Sequence, residues 1–140
     1  MPTPNCHSAP FDGRLFRRAL GLFPTGVTIV TTWDELGRPV GATVSSFNSV
    51  SIDPPLVLFS LARSSACCDT FAAGGPLAIH VLDAGQAELS NRFAWGGGDK
   101  WADLDYATGE HGAPVFDSAL ATFECVPFAQ YPGGDHIIFV

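Results

Sequence analysis

Positive charge is scarce in this sequence: seven lysine and arginine residues stand against 14 aspartate and glutamate, a formal net charge of −7 over 140 residues. A field of that sign repels phosphate backbones and anionic lipid headgroups unless the few cations cluster. They cluster once, at Arg14, Arg17 and Arg18, with the spacing of a solvated helix face, so neither nucleic acid nor a membrane is expected as a partner. Long apolar runs are missing as well. Nothing approaches the roughly 18 apolar residues of a membrane span, and Met1 opens onto polar PTPNCHS rather than a charged head with an apolar core. Cysteine is thin and unpaired in pattern: Cys6, Cys67, Cys68 and Cys125 show neither Cys-x-x-Cys spacing nor the density of a disulfide scaffold. Reduced thiols in a cytoplasm are the expectation, with a strained bridge between adjacent Cys67 and Cys68 as the alternative.

The common catalytic signatures are absent too. There is no G-x-G-x-x-G, no Walker loop, no H-E-x-x-H and no G-x-S-x-G elbow, which disfavours a Rossmann dinucleotide site, a zincin and a serine hydrolase. Asp99, Asp103 and Asp105 alternate but lack the glycine and terminal glutamate of a calcium loop, and no metal is expected.

What is present is a chain that is 46% hydrophobic, enough for one compact domain burying roughly two-thirds of its unfolded surface. Asp12 precedes RLFRRALGLF, whose Leu15, Phe16, Ala19, Leu20 and Phe23 recur at helical spacing before Pro24 stops the pattern. From Gly26 the texture becomes β-branched: GVTIVTTW, the turn-like DELGRP, and PVGATVSSFNSVS read as a hairpin running into a third extended segment. LVLFSLA and PLAIHVL are buried strands, with a brief helix between them over 64–73. Asp83 and Gln86 form a candidate capping box for a helix through Phe93. The glycine-rich, acidic stretch 95–114 reads as a long surface loop. SALATFECVPFAQYP and GDHIIFV close the chain as two strands joined by the turn YPGGD. Six or seven short strands with few helices favour a mainly β barrel over a βαβ array.

Within this frame Thr43, Ser45, Ser46, Ser49 and Ser51 place hydroxyls along one otherwise apolar extended segment. Arg63, one of four basic residues after position 18, precedes Ser64 and Ser65 at an expected helix start, where free N–H groups and a planar guanidinium suit a phosphate. The alternative is that the serines are edge-strand and capping groups and that Arg63 only snorkels.

The blocks FPTGVTIVTT, GATVSSFNSVSIDPPLVLFSLARSS, PLAIHVL, LSNRFA and GDHIIFV, in this order, cover nearly all of positions 14 to 140. In them the chain resembles the short-chain flavin reductases, the flavin reductase-like domain that supplies reduced flavin to two-component monooxygenases. The resemblance implies an FMN-binding split β-barrel of Greek-key type with a few short helices. It spans 14–140 behind an N-terminal tail, 1–13, and forms a homodimer. It further implies NAD(P)H:flavin oxidoreductase activity, with FMN or FAD reduced by NADH or NADPH for a partner oxygenase.

By the same resemblance Thr25 borders the ring system, and Ala42, Thr43, Val44, Ser45 and Ser46 face the isoalloxazine and ribityl chain, with Ser49 and Ser51 as further contacts. Leu61, Ala62, Arg63 and Ser64 wrap the phosphate, where lysine is common in place of arginine. Phe93 borders the site, and His136 lies near the ring and the incoming nicotinamide as the catalytic candidate. Its alternative is a strand-end histidine bonded to Asp135 or a carbonyl, and His80, alternating with Ile79 and Val81, reads as structural. A flavin carrier or a pyridoxamine-phosphate-oxidase-like relative is the second functional reading. Family members continue past the GDH strand into a glycine and a further strand, so a domain shortened after Val140 is expected. Cys67 and Cys68 stand where hydroxyl residues are common.

Overall fold

The computed structural model describes residues 9–95 and 97–140, and Cys6 lies outside them. Helix α1, Gly13–Gly21, starts as its sequence predicts: the Asp12 carboxylate accepts from the Arg14 and Leu15 amides, satisfying two N-terminal donors that a helix cannot pair itself. The hairpin of β1 (Thr28–Trp33) and β2 (Pro39–Val44) follows, closed by a turn in which Asp34 accepts from the Leu36 and Arg38 amides and Gly37 takes a φ of +72°. Next come β3 (Asn48–Ser51), β4 (Leu56–Ala62), helix α2 (Cys68–Ala72), β5 (Leu77–Val81) and helix α3 (Ala87–Ala94). The chain closes with the small β6 (Ala107–Thr108) and β7 (Pro114–Val115), then β8 (Ala121–Cys125), β9 (Gln130–Gly133) and β10 (His136–Phe139).

The strands form two four-stranded antiparallel sheets, β2-β1-β5-β8 and β3-β4-β10-β9, with β6-β7 as a separate pair. Consecutive β2 and β3 therefore belong to different sheets, and the chain changes sheet at 45–47. One core lies between the sheets: Val30, Val44, Leu77 and Ile79 from the first meet Phe59, Leu61 and Phe139 from the second, with Phe71 of α2 closing the end. The other face of the first sheet packs Ile29 and Leu82 against Phe93 of α3 and Phe116. Covered on both faces, β1 buries Thr28, Thr31 and Thr32, whose hydroxyls donate to the Val44, Pro114 and Pro76 carbonyls at 3.1, 2.6 and 2.8 Å.

Several expectations need correction. The helix predicted from Ser64 begins at Cys68, because Ala62–Cys68 is first spent on two turns, Ser65 N–H to Ala62 O and Cys68 N–H to Ser65 O. Among the described residues ten strands replace six or seven, since the loop after α3 folds into β6 and β7 and the segment SALATFECVPFAQYP breaks into β8 and β9 around Val126–Ala129. The Gln86 side chain does reach back to the Asp83 amide at 2.8 Å, but the two close a turn ahead of α3, whose cap position is Gln86. Cys67, Cys68 and Cys125 are free thiols, so no bridge joins the adjacent pair.

Candidate functional site

An elongated cavity of about 1180 Å³ runs along the whole of β2, larger than the roughly 300–1,000 Å³ typical of small-molecule pockets. One end is the β1–β2 turn, with Asp34 and Arg38. The other is formed by Ser45 and Ser46, by Ser60 to Ala62 of β4, by the turn through Ser64 to Cys67, and by His136. Since β2 has six residues and a strand rises about 3.3 Å per residue, the ends lie roughly 20 Å apart.

Of the residues expected at the site, Ala42, Thr43, Val44, Ser45, Ser46, Leu61, Ala62, Ser64, Phe93 and His136 line this one cavity. Thr25, Ser49, Ser51 and Arg63 are not among its lining residues. Arg63 is flanked by two that are, but its guanidinium Nε donates to the Gly134 carbonyl at 3.2 Å and its amide to the Asp135 carbonyl at 2.8 Å. It thereby ties the end of β4 to the turn that presents His136. Two of the anticipated hydroxyls also have structural work. Thr43 Oγ1 donates to the Ser90 carbonyl at 2.6 Å, pinning α3 onto β2. Ser46 Oγ accepts from the Ser60 amide at 2.9 Å and donates to the Ser60 carbonyl at 3.2 Å, stitching the sheet-crossing segment to β4. Ser45 and Ser64 remain exposed on the wall.

His136 Nδ1 lies 2.7 Å from Asp135 Oδ1, and this bond holds the Asp135 carboxyl below its ordinary pKa, with a smaller lowering from Arg17 of α1. Because the ionised carboxylate can only accept, Nδ1 carries the proton and Nε2 is left as the free ring nitrogen. His80 contrasts with it. Fully buried, it stacks on Phe116 at 3.9 Å, donates from Nδ1 to the Ile29 carbonyl and accepts the Phe116 amide on Nε2, and burial pushes its pKa down. It is a neutral structural histidine, as its strand position predicted.

Sequence reasoning missed the hairpin end of the cavity: Asp34 and Arg38, and Lys100, Trp101 and Tyr106 from the loop after α3. Trp101 packs edge-on against Phe93 and against Tyr106, which in turn reaches Trp33. The alternation of Trp101 and Tyr106 with acids, in a stretch otherwise typical of a loop, was the available signal.

The wall chemistry fits a flat heteroaromatic group bearing a phosphate. As an edge strand, β2 has one row of N–H and C=O groups outside the sheet ladder, and the apolar Ala42, Val44, Leu61 and Phe93 flank it. Among the described residues no cluster of three His, Cys, Asp or Glu side chains could hold a metal, and no helix is long and apolar enough to cross a membrane.

A nucleotide-scale cleft along the free edge of a mainly β scaffold thus defines the class of protein. Within that class the chain belongs to the flavin reductase like domain family, whose model matches residues 20–140. The NADH-dependent FMN reductase SmoA of Agrobacterium fabrum is 49% identical over 92% of this chain and 73% of its own length. The reductase subunit of the stachydrine N-demethylase of Rhizobium meliloti is 42% identical, but this chain spans only 56% of it, and only 42% of another flavin reductase relative from that organism. The Streptomyces globisporus NADH:FAD oxidoreductase SgcE6, solved with NAD and FAD fragments, superposes with a TM-score of 0.84 at 39% identity, covering 94% of this chain and 81% of that one.

Proposed function

We propose that this chain is an NAD(P)H:flavin oxidoreductase that reduces FMN or FAD with NADH or NADPH and hands reduced flavin to the oxygenase of a two-component monooxygenase. The observation that carries this reading is the single cavity that gathers ten of the expected site residues around the free edge of β2 and His136. Family membership and the NADH-dependent flavin reductase activities for which SmoA and SgcE6 are named support it. The two sheets with their shared core are read as the halves of a split barrel, with 14–140 as the domain, 1–13 as a tail, and the cytoplasm as its setting.

A bound flavin would supply the hydride chemistry, so the chain's task is to position rings and place charge. The edge groups of β2 bind and orient the pyrimidine edge, where hydrogen-bond donors favour the negative charge that builds on reduction. Val44, Leu61 and Phe93 exclude water from the ring face. Ser64 and the turn through Cys67 receive the phosphate end, and Arg63, exposed beside that turn with its Nε on the Gly134 carbonyl, adds positive charge at the rim. His136, its Nδ1 proton held by Asp135, offers Nε2 to the cavity as the atom that takes or delivers a proton.

Self-association is part of the reading. Helix α1 buries none of its side chains, and Phe11, Leu15, Phe16, Leu20 and Phe23 form an exposed apolar face of the kind that marks an interface, here with a second copy.

The deciding experiment is NADH and NADPH oxidation with added FMN or FAD. Flavin-dependent turnover is expected, and tight flavin binding without turnover would select the carrier alternative. Arg63→Glu is expected to weaken flavin binding sharply in a fluorescence titration, and an unaltered affinity would remove Arg63 from the phosphate site.

A further inference from the structure

His136 lines the cavity from the first position of β10. In the antiparallel ladder it pairs with Gly133 of β9, so Gly134 and Asp135 are the two turn residues outside the ladder. Packing does not hold them: a Cβ built on Gly134 would meet nothing within 4 Å, and the Asp135 side chain is 96% exposed. Gly134, at a φ of +69°, has the backbone freedom that lets its peptide plane rotate. Rotation of the Gly134–Asp135 peptide would carry Asp135 and, through the 2.7 Å bond to Nδ1, the His136 ring with it.

Both carbonyls of this turn are taken by one residue. The register of β4 on β10 pairs Ala62 with His136, which sets Arg63 opposite the turn. Its amide donates to the Asp135 carbonyl at 2.8 Å and its Nε to the Gly134 carbonyl at 3.2 Å. The amide bond belongs to the backbone, so the share of the side chain is the Gly134 carbonyl, the oxygen of the one peptide that the glycine leaves free to turn. Arg17 of α1 lies near enough to Asp135 to lower its carboxyl pKa, but among the described residues it makes no bond to the turn. Arg63 is not a lining residue of the cavity, although Ala62 and Ser64 on either side of it are, so its reach into the site runs through the turn.

We propose that Arg63 is a positioning residue for His136: by holding the Gly134 carbonyl it fixes the Asp135–His136 pair and with it the direction of Nε2 in the cavity. The inference rests on the flavin reductase reading for what His136 does there, and it is separate from the positive charge that Arg63 lends the phosphate end. The two roles differ in kinetics. Charge at the rim acts on flavin affinity and so on KM, whereas a displaced proton-transfer atom acts on kcat. An effect exerted through His136 also vanishes once His136 is gone.

The test is a double-mutant cycle of Arg63→Met and His136→Gln, with Arg63→Lys as the conservative variant and thermal melts to verify folding. The readout is kcat at saturating flavin and the flavin KM, both for NADH oxidation with FMN. Arg63→Met keeps the length of the side chain and loses every donor; it is expected to lower kcat by about tenfold or more, within the range of a misplaced general acid–base group. Arg63→Lys, with an ammonium that can donate to the same carbonyl, is expected to restore most of that loss. In the His136→Gln background Arg63→Met is expected to cost no further kcat while still raising the flavin KM. An unaltered kcat in Arg63→Met overturns the proposal, as does a kcat loss just as large with His136 absent as with it present. A second measurement needs no flavin: the His136 ring resonances of the flavin-free protein, assigned with His136→Gln. One sharp set is expected for the wild type and Arg63→Lys, and broadened or doubled signals for Arg63→Met; identical spectra overturn the proposal. Should no flavin-dependent turnover be found, the flavin reading falls and the ring resonances alone decide the inference.

Discussion

Two histidines show how much a residue's surroundings decide. His80 is fixed in one tautomer by a donor bond to Ile29 and an acceptor bond from Phe116, and it stacks on that ring; burial lowers its pKa from the ordinary 6.5, outweighing the Ile29 bond, which acts the other way. The unfolded chain therefore binds the proton more readily. Stability is full above about pH 6.5 and declines as pH falls below it toward the folded value, by at most about 1.4 kcal/mol per pH unit. Urea unfolding between about pH 8 and pH 5 should show this fall, and His80→Gln should flatten it. The structural role of His80 was legible from strand alternation, and for His136 the bond to Asp135 is the alternative that its place at a strand end offered. The attachment of Arg63 to the Gly134 carbonyl was not legible, because it joins positions far apart in the chain through a turn whose Gly134 takes a φ of +69°.

Among elements, the docking of α3 on β2 shapes the middle of the cavity. Gly41 permits it: a Cβ there would lie 2.8 Å from Phe93 Cε1 and 3.2 Å from the Val30 carbonyl, and Phe93, fully buried, has nowhere to go. Gly41→Ala is expected to destabilise the fold by about 1–3 kcal/mol through overpacking, read as a lower denaturant midpoint. Strands with strong β-branched or apolar texture, such as LVLFSLA and PLAIHVL, were placed closely by sequence alone. The loop after α3 was not, since its order comes from long-range contacts that local composition does not encode. Glu124 of β8 accepts the His111 amide, Trp33 Nε1 donates to the Gly112 carbonyl, and Trp101 wedges beside Phe93. The helix start at Cys68 was misjudged because serines that favour a cap also favour turns.

For the whole molecule, α1 poses the open balance: a well-capped amphipathic helix with Phe16 51% and Leu20 57% exposed. Sedimentation is expected to show a dimer, and paired Phe16→Glu and Leu20→Glu substitutions a monomer, because two buried carboxylates without partners would oppose association. The amphipathic pattern was readable in the sequence, whereas its partner was not, since periodicity shows that a face is apolar and not what covers it. The junction of the sheets carries a last consequence. The Ser46 hydroxyl grips both the amide and the carbonyl of Ser60, so it acts as a caliper that sets how far the jaws of the cleft can part. Any gaping of the jaws must first release the Ser60 amide proton to solvent, which makes that one proton a clock for the opening of the cleft.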